Sequence, residues 1–229
     1  MTEAAAPRTL VLVRHGQTAW NYLGRAQGHI DVELDETGHG QASSVAPTLA
    51  AMRPSRLWTS DLTRARQSMA YVEKRTGLVA TPDPRLREFD LGVRSGLTIP
   101  EFAQRFPEEH AAWLRDDESL LVRGSESTVQ VRARLAAVLT ECLDELAPGE
   151  TGIVMMHGAS GMVGIAALLG WSDDARRHLR GMDNCGWAVL AEHPHKGGLR
   201  LAAYNVTGGR QFTGTEPAGV DFASGTDAR

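Results

Sequence analysis

Two stretches of this chain run apolar for the length of a strand and stop at the same dipeptide. Residues 9–13 (Thr-Leu-Val-Leu-Val) lead into Arg14-His15-Gly16, and residues 152–156 lead into His157-Gly158. A strand that is apolar at successive positions is covered on both faces, as strands at the centre of a parallel sheet are. Such a sheet needs helices above and below it. Helical patterning marks residues 35–52, a stretch from Asp61 to about residue 76, residues 128–146 and residues 160–169. Shorter helical pieces are expected at 100–106 and 108–115, and further strands at 55–59, 78–81, 187–191 and 199–204. Pro47 should kink or delay the first helix, Asp61 is placed to cap the second and Gly77 to stop it. The alternation predicts an α/β fold: a three-layer α/β/α sandwich with a mainly parallel central sheet.

In sheets of this type ligands bind outside the carboxyl ends of the strands. That rule selects residues by itself. If the two His-Gly strands are parallel neighbours, His15 and His157 share one rim. Gly16 and Gly158 would then let backbone N–H groups come close to a ligand. Arg14 adds a fixed charge, and Arg64 sits near the N-terminus of the helix after residue 61. Together these groups suit a tetrahedral oxyanion. Arg66 reads as part of a solvated helix face. Glu88 follows Leu86-Arg87 and could hold a proton for a leaving alkoxide. Spacing alone fits equally well an ordinary loop salt bridge between Glu88 and Arg85 or Arg87.

Composition excludes other classes. With 24 Lys+Arg against 28 Asp+Glu and a net charge of −4, the 229-residue chain offers no general surface for nucleic acid or anionic membranes. Its 42% hydrophobic residues suffice for one core, so residues 1–212 are expected to form a single domain. Residues 213–229 turn to Gly, Thr, Ala, Ser and Asp and read as a flexible tail. Residues 151–172 carry no Asp, Glu, Lys or Arg, yet their glycines and His157 favour a buried strand and helix over a membrane span. Cys142 belongs to a helix core, and Cys185 has no feature marking it as reactive. With only two cysteines and no signal-like N-terminus, a cytoplasmic setting is expected. His193 and His195 lack Cys or acidic neighbours and read as an exposed turn, so no metal site is expected.

The segment Leu12-Val13-Arg14-His15-Gly16-Gln17-Thr18-Ala19-Trp20-Asn21 resembles the signature of the histidine phosphatase superfamily, which includes the cofactor-dependent phosphoglycerate mutases. Gly24-Arg25-Ala26-Gln27-Gly28, with Asp31, Leu34 and Gly38, is similar to the segment that follows it there. Ser60-Asp61-Leu62-Thr63-Arg64-Ala65 resembles the second arginine motif, and Glu88 and His157-Gly158 fall where the acid and second histidine are found. The resemblance implies a phosphoglycerate mutase-like fold and a phosphohistidine formed on His15. It implies phosphate binding by Arg14, Asn21, Arg64, His157 and Gly158, a pocket lined by Gln27, and Glu88 as acid and then base. No cofactor or metal is implied, since arginines and histidines supply the positive charge.

The compact segment from Glu88 to His157 lacks the long insertion of the glycolytic mutases, which favours hydrolysis over mutation. Where many members carry Trp-Glu-Gly, this chain has Arg94-Ser95-Gly96. Residues 112–117, 124–127 and 181–184 resemble the glucosyl-3-phosphoglycerate phosphatase branch, and Arg94, Arg115 and Arg123 are candidates to receive a second anion. The expected partner is a small phosphorylated metabolite, with a homodimer left open. The alternatives are a phosphoglycerate mutase, a catalytically silent phospho-ligand module, and a serine esterase suggested by Gly158-Ala159-Ser160-Gly161. The last lacks the residue that a nucleophile elbow places after its serine.

Overall fold

The computed structural model describes residues 6–115, 122–193 and 197–208. The first strand, β1 (Thr9–Arg14), leads through the short α1 (Ala19–Tyr22) to α2 (Glu36–Ala51), β2 (Arg56–Thr59), α3 (Thr63–Thr76) and the two-residue β3 (Thr81–Pro82). A cover follows, built from 3-10 turns at Pro84–Leu86 and Gly92–Arg94, then α4 (Ile99–Arg105) and α5 (Pro107–Leu114). The chain returns through α6 (Thr128–Asp144), β4 (Thr151–Met156), α7 (Gly158–Leu169) and α8 (Asp173–Arg176). It ends in β5 (Trp187–Glu192) and β6 (Leu199–Val206).

The six strands lie in the order β3-β2-β4-β1-β5-β6. β1, β2, β3 and β4 are parallel; β5 runs opposite to β1, and the edge strand β6 runs opposite to β5. β1 alternates between two cores. Leu10 and Leu12 join Leu135, Leu139, Val163 and Ile165 of α6 and α7. Val11 and Val13 join Leu49 of α2 and Met69 of α3 on the other face. This double burial is why residues 10–13 had to be apolar throughout. The charge-free stretch at 151–172 resolves into β4 and α7. Among the described residues no helix is long and apolar enough to cross a membrane.

Four expectations need correction. Pro47 does not delay α2, which starts at Glu36 under its Asp35 cap and continues past the proline to Ala51. Pro47 lies on the exposed side, as does Ser43, whose carbonyl loses its partner there and can turn to water. Residues 78–80 do not join the sheet, because Leu78 N–H donates to Thr76 Oγ1 and Ala80 N–H to Glu73 Oε1. Asp61 does not cap α3; it pairs with Arg87 at 2.6 Å. The cap comes from Asp31, whose carboxylate accepts from Thr63 N–H and Oγ1–H, both at 2.7 Å. Finally, α7 begins two residues earlier than expected, at Gly158. The expected tail and His195 lie outside the described residues.

Candidate active site

The register Arg14↔Met156 between β1 and β4 brings the two His-Gly ends side by side. The rings of His15 and His157 stand 5.2 Å apart at an interplanar angle of 63°. His15 is fixed through its backbone: its N–H donates to Met156 O, and its carbonyl accepts from Cys185 N–H and Asn184 Nδ2. Its ring Nδ1 lies 2.7 Å from the Gly16 carbonyl. A carbonyl only accepts, so Nδ1 carries the proton and Nε2 keeps its lone pair. Burial, then Arg64 and Arg14, hold His15 well below the usual histidine range.

His157 is also held low, by burial first and then by Arg64, His15, Arg134 and Arg14. Its Nε2 is 2.8 Å from Ser60 Oγ, while its Nδ1 is buried with no protein partner. Ser60 Oγ also accepts from Leu62 N–H at 3.4 Å. Where that hydroxyl donates to Nε2, the His157 proton stands on Nδ1.

Arg64 projects from the first turn of α3 and is among the largest fully buried side chains. Its Nη atoms donate to the carbonyls of Ile30 and Gly28, and its Nε has no protein partner. Arg14 donates to Met182 O, and its guanidinium packs over Gly158, where a Cβ would stand 3.3 Å from Nε. Gly158 therefore makes room for that arginine. Gly16 does not present its N–H to a ligand, as the sequence suggested, but donates to Ser68 Oγ. It is small because the Gly38 backbone passes it: a Cβ would stand 2.5 Å from Gly38 O.

Glu88 is not an ordinary loop ion pair. Its Oε1 accepts from Phe89 N–H and Ser160 N–H, and its Oε2 from Ala159 N–H, all within 3.0 Å. Ala159 and Ser160 lie in the first turn of α7, whose N-cap residue His157 makes no side-chain cap. The carboxylate takes that place at the positive end of the helix. Arg87 is committed to Asp61, and Arg85 to Asp83 and Glu141. Ser160 lies inside α7, and the neighbouring histidine bonds Ser60, so no serine elbow forms here.

The family model described as histidine phosphatase superfamily (branch 1) matches residues 10–207. This chain belongs to the histidine phosphatase superfamily. Glucosyl-3-phosphoglycerate phosphatase of Mycobacterium tuberculosis is 36% identical to it over 195 residues, spanning 81% of this chain and 86% of the relative. A probable phosphoglycerate mutase of Cronobacter sakazakii is 34% identical over 182 residues, spanning 76% and 80%. A solved structure of mycobacterial glucosyl-3-phosphoglycerate phosphatase with VO3 superimposes with a TM-score of 0.79 at 35% identity. It covers 87% of this chain and 100% of that chain.

The remaining candidate residues of this histidine phosphatase occupy a range of settings. Asn21 closes a capping box on α1, its Oδ1 accepting from Thr18 N–H and Oγ1–H, so only its Nδ2 is left to donate. Gln27 is buried, with Oε1 unpartnered. Arg94 lies inside the cover, stacked 4.2 Å from the Trp113 ring, and burial lowers its pKa to about 10. Arg115 ends α5 at the surface, and Arg123 is exposed and paired with Glu109. Arg66 is exposed, as read from the helix pattern, and Cys142 is in the α6 core. The roles of Ser60, Ser68, Asn184 and Asp31 are not readable from local sequence, because they are hydrogen bonds to residues remote in the chain.

Proposed function

We propose that this histidine phosphatase, a phosphoric monoester hydrolase, cleaves a small phosphorylated metabolite through a phosphohistidine on His15. One observation carries the reading. His15 has Nδ1 committed to a carbonyl and Nε2 open, and it stands beside buried, unpartnered nitrogens of His157 and Arg64. Nε2 attacks phosphorus, and the bond to the ester oxygen breaks. Protonated Glu88 gives its proton to that oxygen. Water then attacks the phosphohistidine and yields a proton to Glu88, and the N–P electron pair returns to Nε2. Arg14, Arg64, His157 Nδ1, Gly158 and the Asn21 amide hold the phosphoryl oxygens. Gln27 lines the pocket beside them. No step calls for a metal, because the positive charge comes from side chains.

The substrate class is proposed from the relatives: a phosphoglycerate carrying a sugar, as their name states for the mycobacterial enzymes. The mutase-named relative supports a second reading, phosphoglycerate isomerisation. An isomerisation assay with and without a bisphosphoglycerate primer separates the two; primed isomerisation faster than hydrolysis selects the mutase. For the mechanism, His15→Ala should abolish hydrolysis of p-nitrophenyl phosphate and of sugar phosphoglycerates while leaving the thermal melt cooperative. Wild-type rates in that variant, or loss of wild-type activity to a chelator, would refute the covalent route. Removing one clamp, as in Arg64→Ala, should lower kcat by about 10²–10³.

A further inference from the structure

We propose that Arg134, supported by Glu126 and His29, is a positioning residue that sets Glu88 for proton transfer. The inference rests on the reading of Glu88 as the acid. Glu88 belongs to neither helix nor strand; it lies between the turns at Pro84–Leu86 and Gly92–Arg94. An irregular segment holds a reacting group in place only if its backbone is bonded elsewhere. Here the bonds come from α6. Arg134 Nη1 donates to the carbonyls of Arg85 (2.8 Å) and Arg87 (2.7 Å), and Nη2 to that of Glu88 (2.9 Å). The Glu88 carbonyl also accepts from His29 Nε2 at 2.8 Å.

The guanidinium is itself oriented. Its Nε and Nη2 meet the two oxygens of Glu126 at 2.9 and 2.8 Å. Glu126 Oε2 accepts from Asp90 N–H as well, and Glu126 N–H donates to Asp90 O. The loop is thus tied on both sides of residue 88. Residue 88 has its carbonyl held by α6 and its carboxylate by the first turn of α7. These two helices pack closely: a Cβ at Gly164 of α7 would stand 2.7 Å from Leu139 Cδ1 of α6. One rigid helix pair therefore defines where the carboxylate lies. A lysine at 134 would keep the charge and lose the planar fork that spans three carbonyls and one carboxylate.

The test compares an alkyl phosphate, whose leaving oxygen needs a proton, with p-nitrophenyl phosphate, whose leaving group does not. Glu88→Gln is measured first. It should lose far more rate on the alkyl ester, and equal losses on both would remove the acid assignment itself. Given that result, Arg134→Gln and Arg134→Lys should each lower kcat on the alkyl ester by about tenfold to a hundredfold, with p-nitrophenyl phosphate changed by about threefold or less. Neither should add to the loss already present in Glu88→Gln. His29→Ala, which removes one of the two donors to the Glu88 carbonyl, should show the same selectivity at smaller size. It decides the question if the Arg134 variants do not fold. Equal losses on both esters, additivity with Glu88→Gln, or full rescue by lysine would overturn the proposal while leaving Glu88 as the acid.

Discussion

At the residue scale the site depends on keeping two histidines neutral in a buried, positively charged place. Both are held well below the usual value of 6.5, chiefly by burial and then by Arg64 and other neighbours. The consequence has a definite sign. Below 6.5 the unfolded chain binds protons that these two sites refuse when folded. Stability should therefore fall as pH drops through and below 6.5, and level off above it. Urea unfolding across about pH 5 to 8 checks this, and His15→Ala should flatten part of the slope. The acid limb of kcat/KM, which reports the free enzyme, should likewise lie below 6.5 as far as these histidines set it. A limb at or above 6.5 that disappears with Ser60→Ala or His157→Ala would show that His157 titrates normally.

At the scale of elements, the placement of reacting groups follows from how helices begin. α7 starts at Gly158 and leaves its first N–H groups to Glu88. α3 starts under Asp31, which fixes the turn that carries Arg64. Asp31→Ala should cost about 1 kcal/mol of stability, and it should weaken phosphate binding because Arg64 is in that first turn. A lowered melting temperature with unchanged affinity for inorganic phosphate would separate the cap from the site. The sequence made the strands and helix bodies legible, since β1, β4 and α6 are written in local periodicity. It did not disclose the caps. Asp61 stood next to α3 and had the right chemistry, but Arg87 draws it away, and the actual cap comes from 32 residues earlier.

At the scale of the whole molecule, an acidic chain folds so that Arg14 with His15, Arg64, and His157 meet at one rim from three separate segments. Parallel pairing of β1 with β4 does this, and that pairing was readable from two apolar runs with the same ending. Arg14, His15, Arg64, Glu88 and His157 were legible because their motifs are local. Ser60, His29 and Arg134 were not, because each is defined by a bond across 97, 59 or 46 residues. Arg94 illustrates the reverse: a charge that looked available for a ligand is packed among the aromatic rings of the cover. The central claim, that phosphate passes through His15, is tested most directly by quenching turnover in base and mapping the phosphorylated peptide by mass spectrometry. The account predicts phosphate on His15, formed within a turnover and missing in His15→Ala. Phosphate on His157 or Ser160, or full single-turnover hydrolysis with no phosphorylated residue, would contradict it.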